Sequence, residues 1–479
     1  MTPTSLKIRF LTLPLLAAAA FLAGCSSDAI NSATTSGATG PAFVVGTDAP
    51  LANVVSFNVG VMSVAATDAN GNSVTLLSNA QTVDFARFNG LQTLLDMNDV
   101  PEGTYKSVTI TLDSQNASIG YLNTSGTGAP TITNITNLTF TTTTVTANLA
   151  NPLVVKHASA PVGLRIDFDL AQSLTIGTGA TSATVDPTFN VSTVARTDAG
   201  AHIDEFIAAV TTVPSGTTEP SSFMITGPHG EQFTINTTSS TEWDGGATLA
   251  SLNANSIVAV AGQFDPADQT LDADEVALIS DKGFYASGLV TYVTPTSGAA
   301  TSFDFYTRAV LPDNTADQLG DIAQVNLTGN ETYGIYWMHN QFTDLLFNSS
   351  ALAPGQNIIV GGTAANETNL NALTVSRIHL RNWGYNGTIV AGSQSSSQGT
   401  FQMQVTGFAG ALIPSTITVY LGPSCDFRYG FGSFGDLTNG VSIRVVGLLL
   451  KNSTNGNLVL LARHLDGVDF TNMATTAWQ

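Results

Sequence analysis

SIVAVAG (Ser256 to Gly262), a turn-rich gap and LDADEVALI (Leu271 to Ile279) form a pair of apolar strands, and this pair is the key to the chain. It recurs as QNIIVGG (Gln356 to Gly362) with LNALTVSRI (Leu370 to Ile378), and again as VSIRVVG (Val441 to Gly447) with LVLLARHL (Leu458 to Leu465). Each copy opens on a further apolar strand: EFIAAV (Glu205 to Val210), ASGLVTYV (Ala286 to Val293) and YNGTIVAG (Tyr385 to Gly392). Self-similarity of this kind marks one supersecondary unit used repeatedly. The units run over 204–282, 283–382 and 383–470, and the middle one has extra sequence around Pro312 to Ala323 and Met338 to Leu352. Each has five or six strand candidates and no helix-length pattern. Closure into a small barrel is expected, because so short an open sheet would leave two unpaired edges. Three such units predict three separable cores.

Working back towards the start, Val55, Phe57, Val59 and Val61 alternate with small or polar residues, and Asp68 to Asn72 (DANGN) follows as a hairpin signal. Asn70-Gly71 fits a type I′ turn, which needs positive φ at both positions. Leu91, Leu94 and Leu95 have helical spacing and predict a short helix. The stretch Leu164 to Leu170 alternates Leu164, Ile166, Phe168 and Leu170 with Arg165, Asp167 and Asp169, which predicts one face in the core and the other wet.

TDAP (Thr47 to Pro50), VDFARFNG (Val83 to Gly90), PEGTYKSVTITLDS (Pro101 to Ser114), LRIDFDLAQSL (Leu164 to Leu174) and VDPTFNV (Val185 to Val191) carry a resemblance over roughly 42–197. The series looks like a domain family of unknown function common at the front of bacterial lipoproteins. That resemblance implies a transthyretin-like β-sandwich over 42–200 and no established activity. The later units are similar to a small β-barrel repeat found in exported bacterial proteins. The expected fold class is therefore all-β: an N-terminal transthyretin-like β-sandwich followed by three small β-barrel repeats.

The start of the chain supplies an address. Lys7 and Arg9 precede the apolar run Leu11 to Leu22, too short to span a bilayer, and Leu22-Ala23-Gly24-Cys25 closes it. This resembles the lipobox of bacterial lipoproteins, which implies a signal peptide over 1–24, lipidation of Cys25 and attachment to a membrane. In that family Ser26 after the cysteine favours the outer membrane. Residues 25–41 read as a flexible tether reaching about 50 Å when stretched and about 20 Å as a coil.

Composition narrows the function classes. Only 10% of residues are charged while 43% are hydrophobic, so Thr, Ser, Asn and Gly must cover much of the surface. Two of the 15 basic residues lie in the leader, which leaves 13 against 35 acids. Such a surface repels phosphate backbones, so no nucleic-acid partner is expected. With Cys25 lipidated, Cys425 is the one remaining thiol, and it reads as a small buried hydrophobe.

Few motifs carry chemistry. Asp265, Asp268, Asp272 and Asp274, with Glu275, fit either a calcium site or a solvated hairpin, since hard cations want clustered carboxylates. Calcium is the one cofactor the sequence raises. Asp167 and Asp169 stand about 7 Å apart on one strand face, a spacing glycoside hydrolysis can use, but Arg165 beside them favours an ion pair. Asp48 is placed to cap a turn. The histidines, at 157, 202, 229, 339, 379 and 464, are scattered singly. Phe427, Tyr429, Phe431 and Phe434, interleaved with Gly430, Gly432 and Gly435, fit a hairpin with rings packed inward, or a sugar-stacking surface. GxSxG, HExxH and P-loop motifs do not occur. The expected function is binding or structural: a cell-envelope lipoprotein, lipid-anchored at the outer membrane, showing polar acidic domains to an envelope protein or polysaccharide. A loop-built carbohydrate hydrolase and a passive spacer are the alternatives.

Overall fold

The computed structural model describes residues 38–49, 51, 53–88, 93–124, 129–157, 162–195, 202–214, 216–227, 232–244, 247–265, 270–280, 285–311, 320, 322–335, 342–364, 373–406, 411–428 and 430–467, which are nearly all β. Cys25, Asp268, Tyr429, His229 and His339 lie outside them.

Two sheets enclose the N-terminal core. One orders its strands Phe189–Ala195, Val162–Asp169, Thr39–Ala49 and Thr93–Pro101, and the first strand runs parallel to Val162–Asp169. In the other, Val54–Asp68 pairs with the long strand Gly103–Asn123, which also holds Thr131–Ile135 and Thr144–Val155. Alternation supplies the core: Phe57, Val59, Val64, Val108 and Ile110 from the second sheet meet Val44, Leu164, Ile166 and Phe168 from the first. Phe168 is central, with ring centroids of Phe57, Phe85 and Phe189 at 5.1, 5.1 and 4.6 Å.

Three local expectations change. Leu94 and Leu95 lie in a strand, not a helix: Val44 pairs with Asp96 and Val45 with Leu94, so Leu95 is the extra residue of a bulge and sits against Gly46. Cross-strand pairing has overridden the local spacing, and Leu91 lies outside the described residues. The Asn70-Gly71 hairpin is not type I′, because only Gly71 has positive φ, at 88°. Asp68 closes it instead, its carboxylate accepting from the backbone N–H of Asn70 and of Asn72 and from the Asn72 amide. The first strand also starts earlier than the tether reading allowed, at Thr39.

The three later sheets share one topology. In the third unit Trp383–Ile389, Thr400–Thr406 and Thr416–Arg428 form a meander, Ser442–Asn452 returns beside the first strand, and Leu458–Gly467 closes the ring parallel to the third. The first unit closes in the same way, Gln232–Thr237 running parallel to Thr270–Ser280. This order, 1-2-3-5-4-1, is a five-stranded Greek-key barrel of the OB type. In every unit the third strand is interrupted. It resumes as Glu242–Asp244 in the first and as Thr332–Ile335 in the second, and in the third residues 422–425 stand out of register.

Glycines inside the fourth strands, Gly262 and Gly447, have a structural cause. Register shifts follow Ala261, Gly361 and Val446, which leaves Asp274, Ser376 and Arg463 as the extra residue on the fifth strands. A Cβ on Gly262 or Gly447 would lie 2.1 Å from the carbonyl oxygen of Asp272 or of Leu461. The bend that closes the barrel therefore requires glycine.

The cores, unlike the sheets, ignore unit boundaries. Leu448, Leu450, Val459 and Leu461 of the third barrel sit in one cluster with Val290, Phe303, Phe305, Val360 and Ile378 of the second. Leu345–Leu346, from the added sequence of the middle unit, pairs with the third barrel, and the buried Gln356 amide donates to the carbonyls of Ala351 and Leu449. First and second barrels meet through Ala259, Ala261, Ala277 and Ile279 against Tyr285 and Ile359. Phe43, Val45 and Val194 of the sandwich join the core of the first barrel. The separable cores expected from the repeat are thus replaced by shared ones.

Two predictions follow from this packing. Gly262→Ala should lower stability to urea by about 2 kcal/mol or more, since a backbone oxygen cannot yield to the new methyl. Gly216→Ala, where a Cβ meets nothing within 4 Å, should be near neutral, and equal midpoints for the two variants would refute the bulge argument. Removal of residues from Trp383 onward should unfold the second barrel as well, seen as loss of protection from proteolysis over 285–381, whereas a stable 38–382 fragment would mean that the cores are independent.

Candidate functional site

Ten side chains of the Asp, Glu, Arg and His types are buried among the described residues: Arg165, Asp167, Asp169, Glu275, His379, Arg381, Arg444, Arg463, His464 and Asp466. They occupy one sandwich strand, the fifth strand of each barrel and the fourth strand of the third. Ionised groups are rarely buried without a partner, so their concentration here singles the region out.

Its centre is the junction of the sandwich with the third barrel. Pairing across the barrel aligns Asn386, Arg444, Asp466 and Arg428 on adjacent strands. Arg444 Nε donates to Asn386 Oδ1 at 3.3 Å, and His464 Nε2 is 3.7 Å from Asp466 Oδ2. Asp167 is the group the sandwich presents. Burial pushes its carboxyl above the ordinary range, against the pull of Arg165 first and Arg444 second, with Asp169 adding repulsion and Asn190 a hydrogen bond. Its Oδ1 has no hydrogen-bond partner. The face read from sequence as wet is therefore dry: its neighbours Phe43 and Val45 pack into the core of the first barrel, and Arg444 of the third barrel lies close enough to act on Asp167.

The other candidates fall as follows. Asp169 caps a short helix, accepting from the backbone N–H and side-chain amide of Gln172. Neither Asp167 nor Asp169 faces solvent, being 5% and 2% exposed, so the spacing that suits glycoside hydrolysis is closed to a sugar. Asp48 lies in a strand opposite Phe168, not in a turn. Asp265 and Asp272 flank the loop between the fourth and fifth strands of the first barrel. Asp272 accepts from the Asn236 amide, and partial burial holds Asp274 high while Arg463 pulls it down. Among the described residues no three His, Cys, Asp or Glu side chains are placed to hold a metal ion. Phe431 is buried, and Phe427 and Phe434 pack against the same core. Cys425 is half-buried, and its thiol is pushed up to about 12 by burial and by Asp426. Burial of this kind disfavours the thiolate, which is the nucleophilic form.

Two histidines matter that their scatter in sequence concealed. His379 is held neutral, lowered to about 4 by burial and by Arg377, with its ring against Gly334. His464 belongs to ARHLD (Ala462 to Asp466), and charges set inside an apolar strand were the available signal.

Comparison with known proteins places one part of the chain. Residues 41–187 match the family described as a domain of unknown function, DUF4382. No curated protein matches. Among solved structures, thirteen chains match. One is titled "drosophila Unr CSD456": it is 10% identical and covers 55% of this chain and 97% of its own, with a TM-score of 0.14, too low to bear on the fold.

A pH test follows from Asp167. Its raised pKa means that the folded state favours the protonated acid. That contribution is full below the ordinary carboxyl pKa of about 3.9 and is lost as pH rises through the folded value. Asp167→Asn, which fixes the neutral form, should raise the melting temperature at pH 7 relative to the parent and narrow the gap towards pH 4. A lower melting temperature at pH 7 would show that the carboxylate is ionised and needed by Arg444.

Proposed function

We propose that this chain is a lipid-anchored protein of the bacterial cell envelope with a binding or structural role. The observation that carries the reading is Leu22-Ala23-Gly24-Cys25 at the end of a short apolar run, directly before a polar stretch and a folded body. The thiol of Cys25 takes the lipid, and more than one acyl chain makes the attachment lasting. The interlocked cores support a scaffold role, since a body without independent hinges presents its surface in one fixed arrangement. Its partner is an envelope protein or a polysaccharide. The hydrolase reading finds less support, because Asp167 and Asp169 are buried.

Cys25→Ser expressed in a bacterial host should give a chain that incorporates no radiolabelled fatty acid and leaves the membrane fraction. Continued acylation of the variant would rule out the anchor.

A further inference from the structure

We propose that His379 is an acid-operated release for the joint between the first and second barrels, acting through its neighbour Arg377. The ring sits on the face of the second barrel that meets the first. Its partner on the fourth strand, Ile359, packs with Ala277 and Ile279 of the first barrel, whereas Ile378 and Leu380 on either side join Val290 and Phe305 in the core of the second. Arg377, two residues away and so on the same strand face, reaches across and donates from Nη1 to the Leu278 carbonyl at 3.3 Å. Gly361, paired with Arg377, lets the two backbones meet there, since a Cβ on it would lie 2.1 Å from the Ile279 carbonyl oxygen. Protonation of His379 sets a second cation beside the arginine that ties this joint.

The site suits only the neutral ring. His379 is 1% exposed, and among the described residues neither Nδ1 nor Nε2 has a hydrogen-bond partner. Gly334 gives the ring its room, because a Cβ there would lie 2.6 Å from Nδ1. A charge placed here loses its hydration and gains no partner in return. The strands packed on Leu373–Arg381 carry the following titratable groups: Tyr333, with Glu331 just before it, on Thr332–Ile335; Asp272, Asp274 and Glu275 on Thr270–Ser280; and Arg444 and Lys451 on Ser442–Asn452. Asn357–Ala364 and Ile322–Asn326 carry none. Burial first and Arg377 second lower His379 to about 4, against about 6.5 in an opened chain. Its contribution to the closed joint is therefore full above about pH 6.5 and is lost as pH falls through about 4. The direction is opposite to that of Asp167, so the two effects can be told apart.

The test uses the full chain with Cys25→Ser and Cys425→Ala, so that it does not depend on the anchor, and one engineered thiol. Ala277→Cys places that thiol in the joint and Ala66→Cys places it in the sandwich core, both positions being fully buried. Labelling by 4,4′-dithiodipyridine is measured from pH 7 to pH 4 and divided by the rate of a free thiol peptide. Labelling at the joint should rise roughly tenfold per pH unit below about 6.5, to about 300-fold, and should rise far less in the sandwich core. His379→Phe, which cannot take a proton, should flatten the rise at the joint. Equal rises at the two positions, or an unchanged rise in His379→Phe, overturn the proposal. Should His379→Phe not fold, the parent chain labelled at its histidine ring carbons decides. A buried ring that stays neutral to below pH 5 in the folded chain is expected, and a full set of rings titrating near 6.5 with the joint still protected overturns the release.

Discussion

Among the residues whose burial is described, every arginine is buried or half-buried, and the assembly of the modules depends on where these charges go. Arg444 of the third barrel acts on Asp167 of the sandwich, and Arg463 acts on Asp274 of the first barrel. Half-buried cations do similar work with backbone oxygens: Arg308 donates to the Val55 carbonyl, Arg377 to that of Leu278 and Lys451 to that of Ser350. Arg308 also lies over the Trp383 ring, 5.1 Å from its centroid. Burying an ion is costly, and the attraction between buried partners often does no more than offset that cost. These contacts therefore add little net stability compared with an apolar seam, but they penalise any other docking of the same surfaces.

Apolar packing supplies the attraction that the charges direct. Val55 and Leu122 of the sandwich join Leu289, Tyr306 and Trp383 in one cluster, where Ser56 Oγ meets Tyr306 Oη and accepts from Gly120 N–H. A Cβ on Gly120 would strike both oxygens, and one on Gly361 would lie 2.1 Å from the Ile279 carbonyl of the neighbouring barrel. Close backbone approach thus recurs at two junctions, and small residues such as Ala259, Ala261 and Ala277 allow it.

The all-β class was legible because alternation and turn residues are local properties. Phe57, Val59, Leu164 and Ile166 reveal their faces to any reader of period two. The repeat was legible for a related reason: Gly262 and Gly447 answer to a backbone clash within their own barrel, so each copy preserves the residue. Junctions were not legible. Nothing near Asp167 in sequence announces Arg444, and Leu448 or Leu461 looks the same whether it fills its own barrel or a neighbour's. Leu95 misled because a bulge imitates helical spacing over three residues. In the site, ARHLD was the one local signal of buried charge.

Withdrawing the cations has an outward consequence. Residues 202–280 hold eleven Asp and Glu and no Lys or Arg, so the first barrel carries a field of one sign. Fields of this kind act beyond contact distance at low salt and fade within about 8 Å at physiological ionic strength. Such a field opposes the approach of polyanions, leaves neutral molecules unaffected and attracts cationic ones. The inward turn of arginine thus has two effects: it ties the barrels to their neighbours, and it leaves the first barrel, which has no Lys or Arg of its own, acidic.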